Sequence, residues 1–204
     1  MGDLSKFGVP LDGVKQGMLQ PRMAYRFRVI FNNFGTNNNL RELTANVQSV
    51  VRPAITHEEA AVHSYNSIAY VMGKHAWQPI DLVVRDDITG AIASAVYSQV
   101  QRQMNHYEQI GPVAGTNYKF GMQIHTLDGT NAEELESWEL TGCFLTNVDY
   151  SEADYSVNDF VSIQMTIRYD NATHYQGDNN LNGRIAEGQL FDSNPIVDNT
   201  NVNV

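Results

Sequence analysis

Cysteine is almost missing from this chain of 204 residues, which contains Cys143 and no other thiol. A single thiol cannot form an internal disulfide, and it cannot supply the several sulfur ligands of a cysteine-rich zinc site. We therefore expect a reducing compartment, and we interpret Cys143 as a buried, inert thiol. A nucleophilic cysteine is the alternative interpretation.

Long apolar runs and basic residues are also scarce. No stretch of roughly 18 consecutive apolar residues is present, and the N-terminus lacks the continuous apolar segment of a signal peptide. The 13 Lys and Arg are outnumbered by 23 Asp and Glu, which gives a formal net charge of -10. Because tight binding to DNA or to anionic membranes requires cations that neutralise phosphates, this charge argues against both. We expect neither export by a signal peptide nor membrane insertion.

Familiar catalytic and metal-binding motifs are missing as well. The sequence contains no GxSxG, GxxxxGK[ST] or GxGxxG motif, and its six histidines form no HExxH or Cys/His pattern. The sequence therefore predicts that the protein is not an enzyme and has no catalytic residue, no metal site and no cofactor. An enzyme that uses His75 with Asp86 or Asp87 remains an alternative, although these positions suit a loop and a helix cap.

A second alternative concerns an acidic segment in the second half of the chain. Four carboxylates stand close together there: Asp149, Glu152, Asp154 and Asp159. They lack the central glycine and the terminal glutamate of a calcium-binding EF-hand loop. With the aromatic residues Trp138, Tyr150 and Tyr155 they leave open a calcium- or carbohydrate-binding β-module. A solvated acidic loop is the plainer interpretation.

Breaker residues and periodicity divide the chain into three parts. We predict an irregular N-terminal arm at 1–20, a folded body at 21–174 and a loosely ordered, Asn-rich extension at 175–204. Alternation of apolar and polar residues predicts strands in the body. These strands are Met23 to Phe31, Leu43 to Val51, Trp77 to Arg85, Tyr118 to Ile124, Trp138 to Phe144 and Val161 to Tyr169. The stretch from Arg52 to His75 is predicted to be a protruding hairpin or loop.

One segment has the period of a helix instead. Apolar residues recur at spacings of three and four from Ile88 to Tyr107, which predicts an amphipathic helix. Asp86 or Asp87 would cap its first turn, and Gly111 with Pro112 would end it. The predicted fold is mainly β: a β-barrel or sandwich of six or seven strands, with one flanking α-helix and a long protruding loop.

Charge is distributed unevenly along the body. Between Asp128 and Asp159 there are nine carboxylates and no Lys or Arg. The first half contains a cluster of arginines: Arg22, Arg26, Arg28 and Arg41. Such opposite patches suggest association between copies of the chain, whereas an ordinary solvated face is the alternative for the acidic stretch.

The order of these segments resembles a known family. Following "PRMAYRFRVIF" come "VVRPAI", "SYNSIAYVMGKHAWQPIDLVVRDDI", the helix, "YKFGMQIHTLDG", "SWELTGCFLTNVDYSEADYS" and "VSIQMTIRYDNA". The pattern, from about Pro21 to Ala172, resembles the tail tube proteins of contractile-tailed bacteriophages, the group that includes the T4 tail tube. These are related to the tube proteins of type VI secretion and pyocins. The stretches "GKHAWQPIDLVVRDD", "WELTGCF" and "IRYDNA" carry most of the resemblance.

The resemblance implies a structural virion protein. Members of the family form hexameric rings that stack into the inner tail tube, the conduit for DNA during ejection. The implied partners are other copies of the chain, the tail sheath protein, and the baseplate and tail terminator proteins, while DNA passes through without specific binding. The implied location is the virion tail, assembled in the bacterial host cytoplasm. A baseplate tube-initiator protein is the alternative within this group.

The resemblance also implies roles for particular residues. Candidates for a loop that reaches the adjacent ring are Arg52, Pro53, Tyr65, Asn66, Tyr70 and Lys74. Candidates for the channel wall are Glu133, Glu134, Glu136 and Glu139. Structural roles are expected for Trp77 and Pro79 at the return of the loop, for Asp86 and Asp87 at the helix start, and for Trp138.

Overall fold

The computed structural model describes residues 22–35, 40–128, 134–156, 158–176 and 180–181. The predicted N-terminal arm at 1–20 and most of the predicted extension at 175–204 lie outside this range. In the described part of the chain, the strands and helices are β1 (Phe27–Asn32), α1 (Leu40–Ala45), β2 (Val47–Val50), β3 (Ile55–Ser64), β4 (Ser67–Trp77), β5 (Ile80–Arg85), α2 (Ala91–Gln103), β6 (Phe120–Leu127), β7 (Glu134–Asp149), β8 (Ser162–Arg168), β9 (Asn171–Gln176) and β10 (Asn180–Leu181). The predicted mainly β fold with a flanking helix is confirmed.

Two sheets share the long strand β7. The first has the order β1-β6-β7-β9-β10, the second has the order β7-β8-β5-β2, and every neighbouring pair is antiparallel. Buried side chains from both sheets form one core, with Met122 and Leu140 from the first and Leu82 and Met165 from the second, all at 0% exposure. The alternation predicted for β5, β6 and β8 is therefore confirmed, because one face of each of these strands is buried.

The strand β7 bends where its pairing changes from β9 to β8. Gly142 lies at this point with φ of 69°, a backbone angle that favours glycine. The bend also shifts the alternation of side chains, so that Cys143 is buried at 0% exposure and Phe144 is only partly buried. The prediction that Phe144 continues the buried face of Leu140 is wrong for this reason.

Two of the predicted strands begin four residues later than expected, at Phe27 and Val47, and the strand predicted from Trp77 begins at Ile80 because Trp77 ends β4. Met23 and Tyr25 are exposed, because a turn closed by the bond from Arg26 N to Met23 O precedes β1. The strand predicted from Leu43 to Val51 is also wrong at its start. Leu43 belongs to α1, where one helical turn brings its side chain into the core, and β2 covers only Val47–Val50.

The helix α2 is shorter than the periodicity predicts. Ile88 precedes it and is fully exposed, and Met104 and Tyr107 follow it with exposed side chains. The helix ends before Gly111 because Asn105 starts a turn, in which its side-chain oxygen accepts the backbone N–H groups of Tyr107 and Glu108. Only the central part of the predicted apolar face is buried.

Polar side chains fix α2 against the rest of the body. Gln99 has 0% exposure, accepts the N–H of Gly35 at 2.8 Å and donates to the carbonyl of Tyr118 at 2.7 Å. Gln103 bonds to both the N–H and the carbonyl of Leu145, at 2.8 Å each. Each of these two glutamines therefore satisfies two backbone groups outside the helix.

Within the described residues, no helix is long and apolar enough to cross a bilayer.

Candidate assembly interface

The hairpin formed by β3 and β4, Ile55 to Trp77, continues the ribbon formed by β2 and β5. Val50 stands opposite Leu82, and Ile55 stands opposite Trp77 in the same register. Between these pairs, the N–H of Val51 donates to Asp81 at 2.9 Å and that of Gln78 donates to Ala54 at 2.8 Å. The hairpin therefore extends one end of the second sheet beyond the body, which confirms the predicted protrusion.

The hairpin is exposed along almost its whole length. Every residue of β3 is exposed, and so is every residue of β4 except Trp77. Several of the exposed side chains are large and apolar: Ile55, Val62, Tyr65, Ile68, Tyr70, Val71 and Met72. A two-stranded ribbon with such a surface is marginally stable alone in water, and an apolar patch of this kind typically marks a contact with another protein.

The base of the hairpin is held by aromatic contacts. The Trp77 ring lies 5.8 Å from that of Tyr169, which is buried, and 6.3 Å from that of His75. Pro79 stands between β4 and β5, where it donates no hydrogen bond to either neighbour. The structure thus places Trp77 and Pro79 at the junction of hairpin and body.

The residues predicted for a loop to the adjacent ring all belong to this region. Tyr65 and Asn66 form the turn at the tip, and Tyr70 and Lys74 are exposed on β4. Arg52 and Pro53 precede the hairpin at its base, where Arg52 is exposed and Pro53 is partly buried. Their role in contacting another ring stays a prediction.

A second exposed apolar surface lies at the opposite end of the same sheet. We call it the far-end patch, and its members are Ile88, Tyr150, Tyr155, Phe160 and Val161, all exposed. The hairpin leaves the sheet beside Ile80, at the start of β5, whereas Arg85, at the end of β5, pairs with Ser162 directly after Val161. At about 3.3 Å per residue, the six residues of β5 separate the two surfaces by roughly 17–20 Å.

Sequence reasoning missed the far-end patch because it assigned Ile88 to the helix and Val161 to a strand. Both residues lie just outside these elements, and the N–H of Asp86 donates to the carbonyl of Val161 at 3.0 Å. A usable signal was present, since apolar residues flank the acidic loop 149–159 without continuing any alternation.

One of the two candidate aspartates bonds to the start of the helix. The Asp87 carboxylate accepts hydrogen bonds from the Thr89 hydroxyl and, at 3.1 Å, from the N–H of Ala91, the first residue of α2. The bond from Thr89 and those from the backbone lower the pKa of Asp87. Asp86 instead accepts the N–H of Asp87 at 3.0 Å. Gly90 occupies the N-cap position, and Asp87 satisfies the N–H of the first helical residue from three residues further back. Asp86 bonds within the turn before the helix.

The predicted channel-wall carboxylates are engaged with other side chains where the structure describes them. Glu133 lies outside the described residues. Glu134 lies 2.9 Å from Arg28 Nη2 and 2.8 Å from His125 Nδ1, and Glu139 accepts the Tyr175 hydroxyl at 3.2 Å. These contacts place both groups on a polar face of the first sheet; their orientation toward a channel stays a prediction.

Glu136 differs from its neighbours because it is almost buried, at 7% exposure. It accepts Trp138 Nε1 at 2.9 Å, lies 3.1 Å from His174 Nε2 and pairs with Arg22. Burial raises the pKa of Glu136, but the Trp138 hydrogen bond and the charges of His174, Arg22 and Arg52 outweigh it, so the pKa is lowered overall. The Trp138 ring stacks on His174 at 4.4 Å between centroids. Glu136 is thus a buried, paired anion rather than a free wall charge.

The sequence left two alternative sites open: an enzyme site at His75 with Asp86 or Asp87, and a calcium site in the acidic loop. His75 lies on the hairpin, while Asp86 and Asp87 follow the opposite end of β5, so the structure does not bring them together. In the acidic loop, Asp149 accepts the N–H of Ser151 and Asp154 accepts that of Ser156, each at 2.9 Å. Across the described ranges, no three His, Cys, Asp or Glu side chains are grouped so as to hold a metal ion.

Cys143 is buried, as predicted. Burial raises the pKa of its thiol to about 12, and the nearby Asp170 carboxylate adds to this effect. Because the thiolate is the nucleophilic form, a thiol in this environment is unreactive near neutral pH.

Comparison with solved structures shows that this fold occurs in chains of contractile injection systems. A chain of the anti-feeding prophage cap, described as its tube-terminating cap, matches with a TM-score of 0.61 and 18% identity, over 83% of this chain and 100% of that one. The fold of this chain is therefore similar to that of chains in contractile injection systems. A chain in the sheath–tube complex of an extracellular contractile injection system in its extended state gives a TM-score of 0.57 and 15% identity, over 76% of this chain and 92% of that one.

A third match comes from the sheath/tube terminator of that extracellular system. Its TM-score is 0.54 and its identity 16%, over 78% of this chain and 99% of that one. No protein-family model and no curated protein matches the sequence. The agreement with the predicted tail tube family is therefore an agreement of fold.

Proposed function

We propose that the chain is a structural subunit of the inner tube of a contractile tail, in which six copies form a ring and rings stack into a conduit for DNA. The observation that carries this proposal is the pair of exposed apolar surfaces at opposite ends of one sheet, the hairpin and the far-end patch. The shared fold of tube-associated chains in contractile injection systems supports it.

The placement of the two surfaces favours head-to-tail contacts. When one surface binds a different surface on the next copy, the interaction repeats and gives a ring if the rotation closes or a filament if it does not. Surfaces at opposite ends of one sheet favour the filament. The hairpin tip carries Tyr65 and Ile68 beyond one end of the body, and Phe160 and Val161 are exposed at the other end. A contact between the hairpin of one copy and the far-end patch of the next would remove the exposed apolar side chains of both surfaces from water.

Contacts within a ring use the edges of the sheets. In the described part of the chain, β1 pairs only with β6 and β2 pairs only with β5, so each leaves one edge for another strand. Main-chain pairing at such edges is a common way to join protein chains. The number of six copies comes from the resemblance to the tail tube family.

The negative charge suits a conduit for a polyanion. Each copy carries a formal charge of -10. Ion pairs such as that between Glu134 and Arg28 satisfy local charges but leave this net value unchanged. A wall of the same sign as DNA repels the phosphates and prevents retention during passage. Such a particle would be assembled in the host cytoplasm, together with sheath, baseplate and terminator proteins.

A tube terminator or cap is a second candidate, because two of the matched assemblies are described as a tube-terminating cap and a sheath/tube terminator. A terminator must bind a tube at one end and stop growth at the other. Purified protein then gives single rings, whereas a tube subunit gives stacked rings.

Three charge substitutions test the head-to-tail arrangement. Tyr65→Asp places a charge on the hairpin tip, and Phe160→Asp places one in the far-end patch, beside Asp159. Tyr107→Asp is the matched control, because Tyr107 is exposed outside both surfaces. We expect filaments from the wild type and the control, and unstacked rings from the other two variants, by negative-stain microscopy and sedimentation.

Mixing the two defective variants provides the sharper result. Tyr65→Asp retains an intact far-end patch, and Phe160→Asp retains an intact hairpin. One ring of each should therefore combine into a pair through these intact surfaces. The pair cannot grow because both of its outer ends carry a substituted surface. Ring pairs in the mixture, with single rings in each variant alone, support the proposal. Filaments from either variant alone would refute it.

A further inference from the structure

Two histidines face each other across the base of the hairpin. His57 on β3 stands directly opposite His75 on β4 in the strand register, and their ring centroids are 6.2 Å apart with an interplanar angle of 53°. Eighteen positions separate them in the sequence, so no spacing motif revealed the pair. Both residues are exposed and therefore accessible from solution.

The other histidines are arranged differently. His125 and His174 lie against the carboxylates of Glu134 and Glu136, at 2.8 and 3.1 Å. His106 contacts Gln101 through Nδ1 at 3.3 Å, and His63 stands opposite Ile68 rather than another histidine. Among the described residues, His57 and His75 are thus the only two histidines paired with each other across strands.

The separation of the two rings suits a shared metal ion. Since a metal–imidazole nitrogen bond is about 2.0–2.1 Å, two imidazoles on one ion have centroids roughly 5 Å apart in tetrahedral geometry and roughly 6 Å apart in linear geometry. Closing from 6.2 Å to this range requires only rotation of exposed side chains, because the strand register already fixes the two backbones. Imidazole is a preferred ligand of zinc, copper and nickel.

We propose that His57 and His75 form a chelating site for one divalent transition-metal ion, Zn²⁺, Ni²⁺ or Cu²⁺, with water at the remaining positions. The ion joins β3 to β4 next to the Trp77 ring, whose centroid lies 6.3 Å from that of His75. A bound ion therefore resists separation of the two strands and stabilises the hairpin base. This site requires no assembly, so it stands or falls independently of the tube proposal.

Titration of the full chain, carrying no polyhistidine tag, tests the site. Zn²⁺, Ni²⁺ and Cu²⁺ chlorides are added separately near neutral pH in a buffer that does not bind metals, with calorimetry as one readout. Quenching of tryptophan fluorescence by Cu²⁺ is the second readout, since Trp77 lies beside the pair. The variants are His57→Gln, His75→Gln and, as the matched control, His63→Gln on the same hairpin.

We expect saturable binding of one ion per chain in the wild type and in His63→Gln. The affinity should fall about tenfold or more in His57→Gln and in His75→Gln, because one remaining imidazole cannot chelate. All variants should retain the far-UV circular dichroism of the wild type, since the three side chains are exposed. No saturable binding below about 1 mM, or equal losses in His63→Gln and His57→Gln, would overturn the proposal.

Discussion

At the scale of single residues, Gly142 shows how one backbone position allows the two sheets to share a strand. Its φ of 69° lies in the left-handed region, and an added Cβ would overlap the Asp170 carboxylate, which also lies 2.5 Å from Lys119 Nζ. A side chain here therefore meets both an unfavourable backbone angle and an occupied space.

Gly142→Ala should lower the free energy of unfolding by more than the roughly 1–2 kcal/mol of the backbone angle alone. Two alanine variants separate these causes. Gly90 has φ of 67° with nothing near its Cβ position, and Gly111 has open space and no positive φ. Urea unfolding should rank the losses as Gly142→Ala, then Gly90→Ala, then Gly111→Ala. Equal losses at positions 142 and 111 would contradict the role assigned to the bend.

The ionisation of Glu136 is tied to the fold because its carboxylate is almost buried and paired. Its pKa in the folded chain lies below the ordinary value of 4.5, so its anion stabilises the folded state above that pH. This contribution disappears as the pH falls through 4.5 towards the folded pKa. We expect Glu136→Gln to lower the free energy of unfolding at pH 7 by about 1.5–3 kcal/mol.

The difference between Glu136→Gln and the wild type should shrink below pH 4.5, because protonation gives the wild type the same neutral side chain. Unfolding curves between pH 7 and about pH 3 measure this difference. The exposed Glu152→Gln provides the control and should leave stability nearly unchanged. A difference that stays constant over this range would rule out the paired anion.

At the scale of elements, α2 is held by hydrogen bonds from two glutamines as well as by its apolar face. Gln99→Leu preserves the approximate shape of the side chain but leaves the N–H of Gly35 and the carbonyl of Tyr118 without their partner. Each unsatisfied group costs about 1–3 kcal/mol. Thermal or urea unfolding should show this loss for Gln99→Leu.

Gln101→Leu is the control for this helix. Gln101 bonds to the Tyr97 hydroxyl, to the His106 ring and to the backbone N–H of His106, all at the exposed surface, so its replacement should change stability by about 0.5 kcal/mol or less. If both variants lose the same stability, the bonds of Gln99 do not anchor the helix.

The elements that the sequence predicts well are those with one buried face. β5, β6 and β8 alternate because the core accepts every second side chain, and α2 is recognisable from its buried centre at Ile92 and Val96. The strands of the hairpin are exposed on both faces, so alternation gives no signal there. The short helix α1 was missed because its six residues span too few turns for a helical period.

The candidate sites were predicted less completely than the fold. Asp87, Trp77 and Pro79 could be singled out from the sequence because capping and turn residues act locally, and their structural roles stay predictions. Other contacts depend on how strands that are distant in the sequence align. Examples are the pair of His57 and His75 and the contacts of Glu136 with Arg22, Trp138 and His174. The far-end patch unites residues from three segments, and its local signal is limited to the apolar residues that flank the acidic loop 149–159.

At the scale of the whole molecule, the hairpin and the far-end patch give each copy a direction. One end of the second sheet carries Tyr65 on a ribbon beyond the body, and the other end exposes Phe160 beside acidic residues. If these ends contact each other in the proposed tube, the contact is heterologous and can repeat along one axis. This polarity is the central claim of the proposed tube.

Covalent capture between copies tests this claim most directly. Tyr65→Cys and Phe160→Cys are introduced together and separately, and the assembled protein is treated with a flexible bismaleimide; the native Cys143 is buried and does not react. Denaturing electrophoresis should show a ladder of covalent multimers for the double variant and at most dimers for each single variant. A double variant that remains monomeric after treatment, at concentrations where particles are present, would contradict the head-to-tail contact.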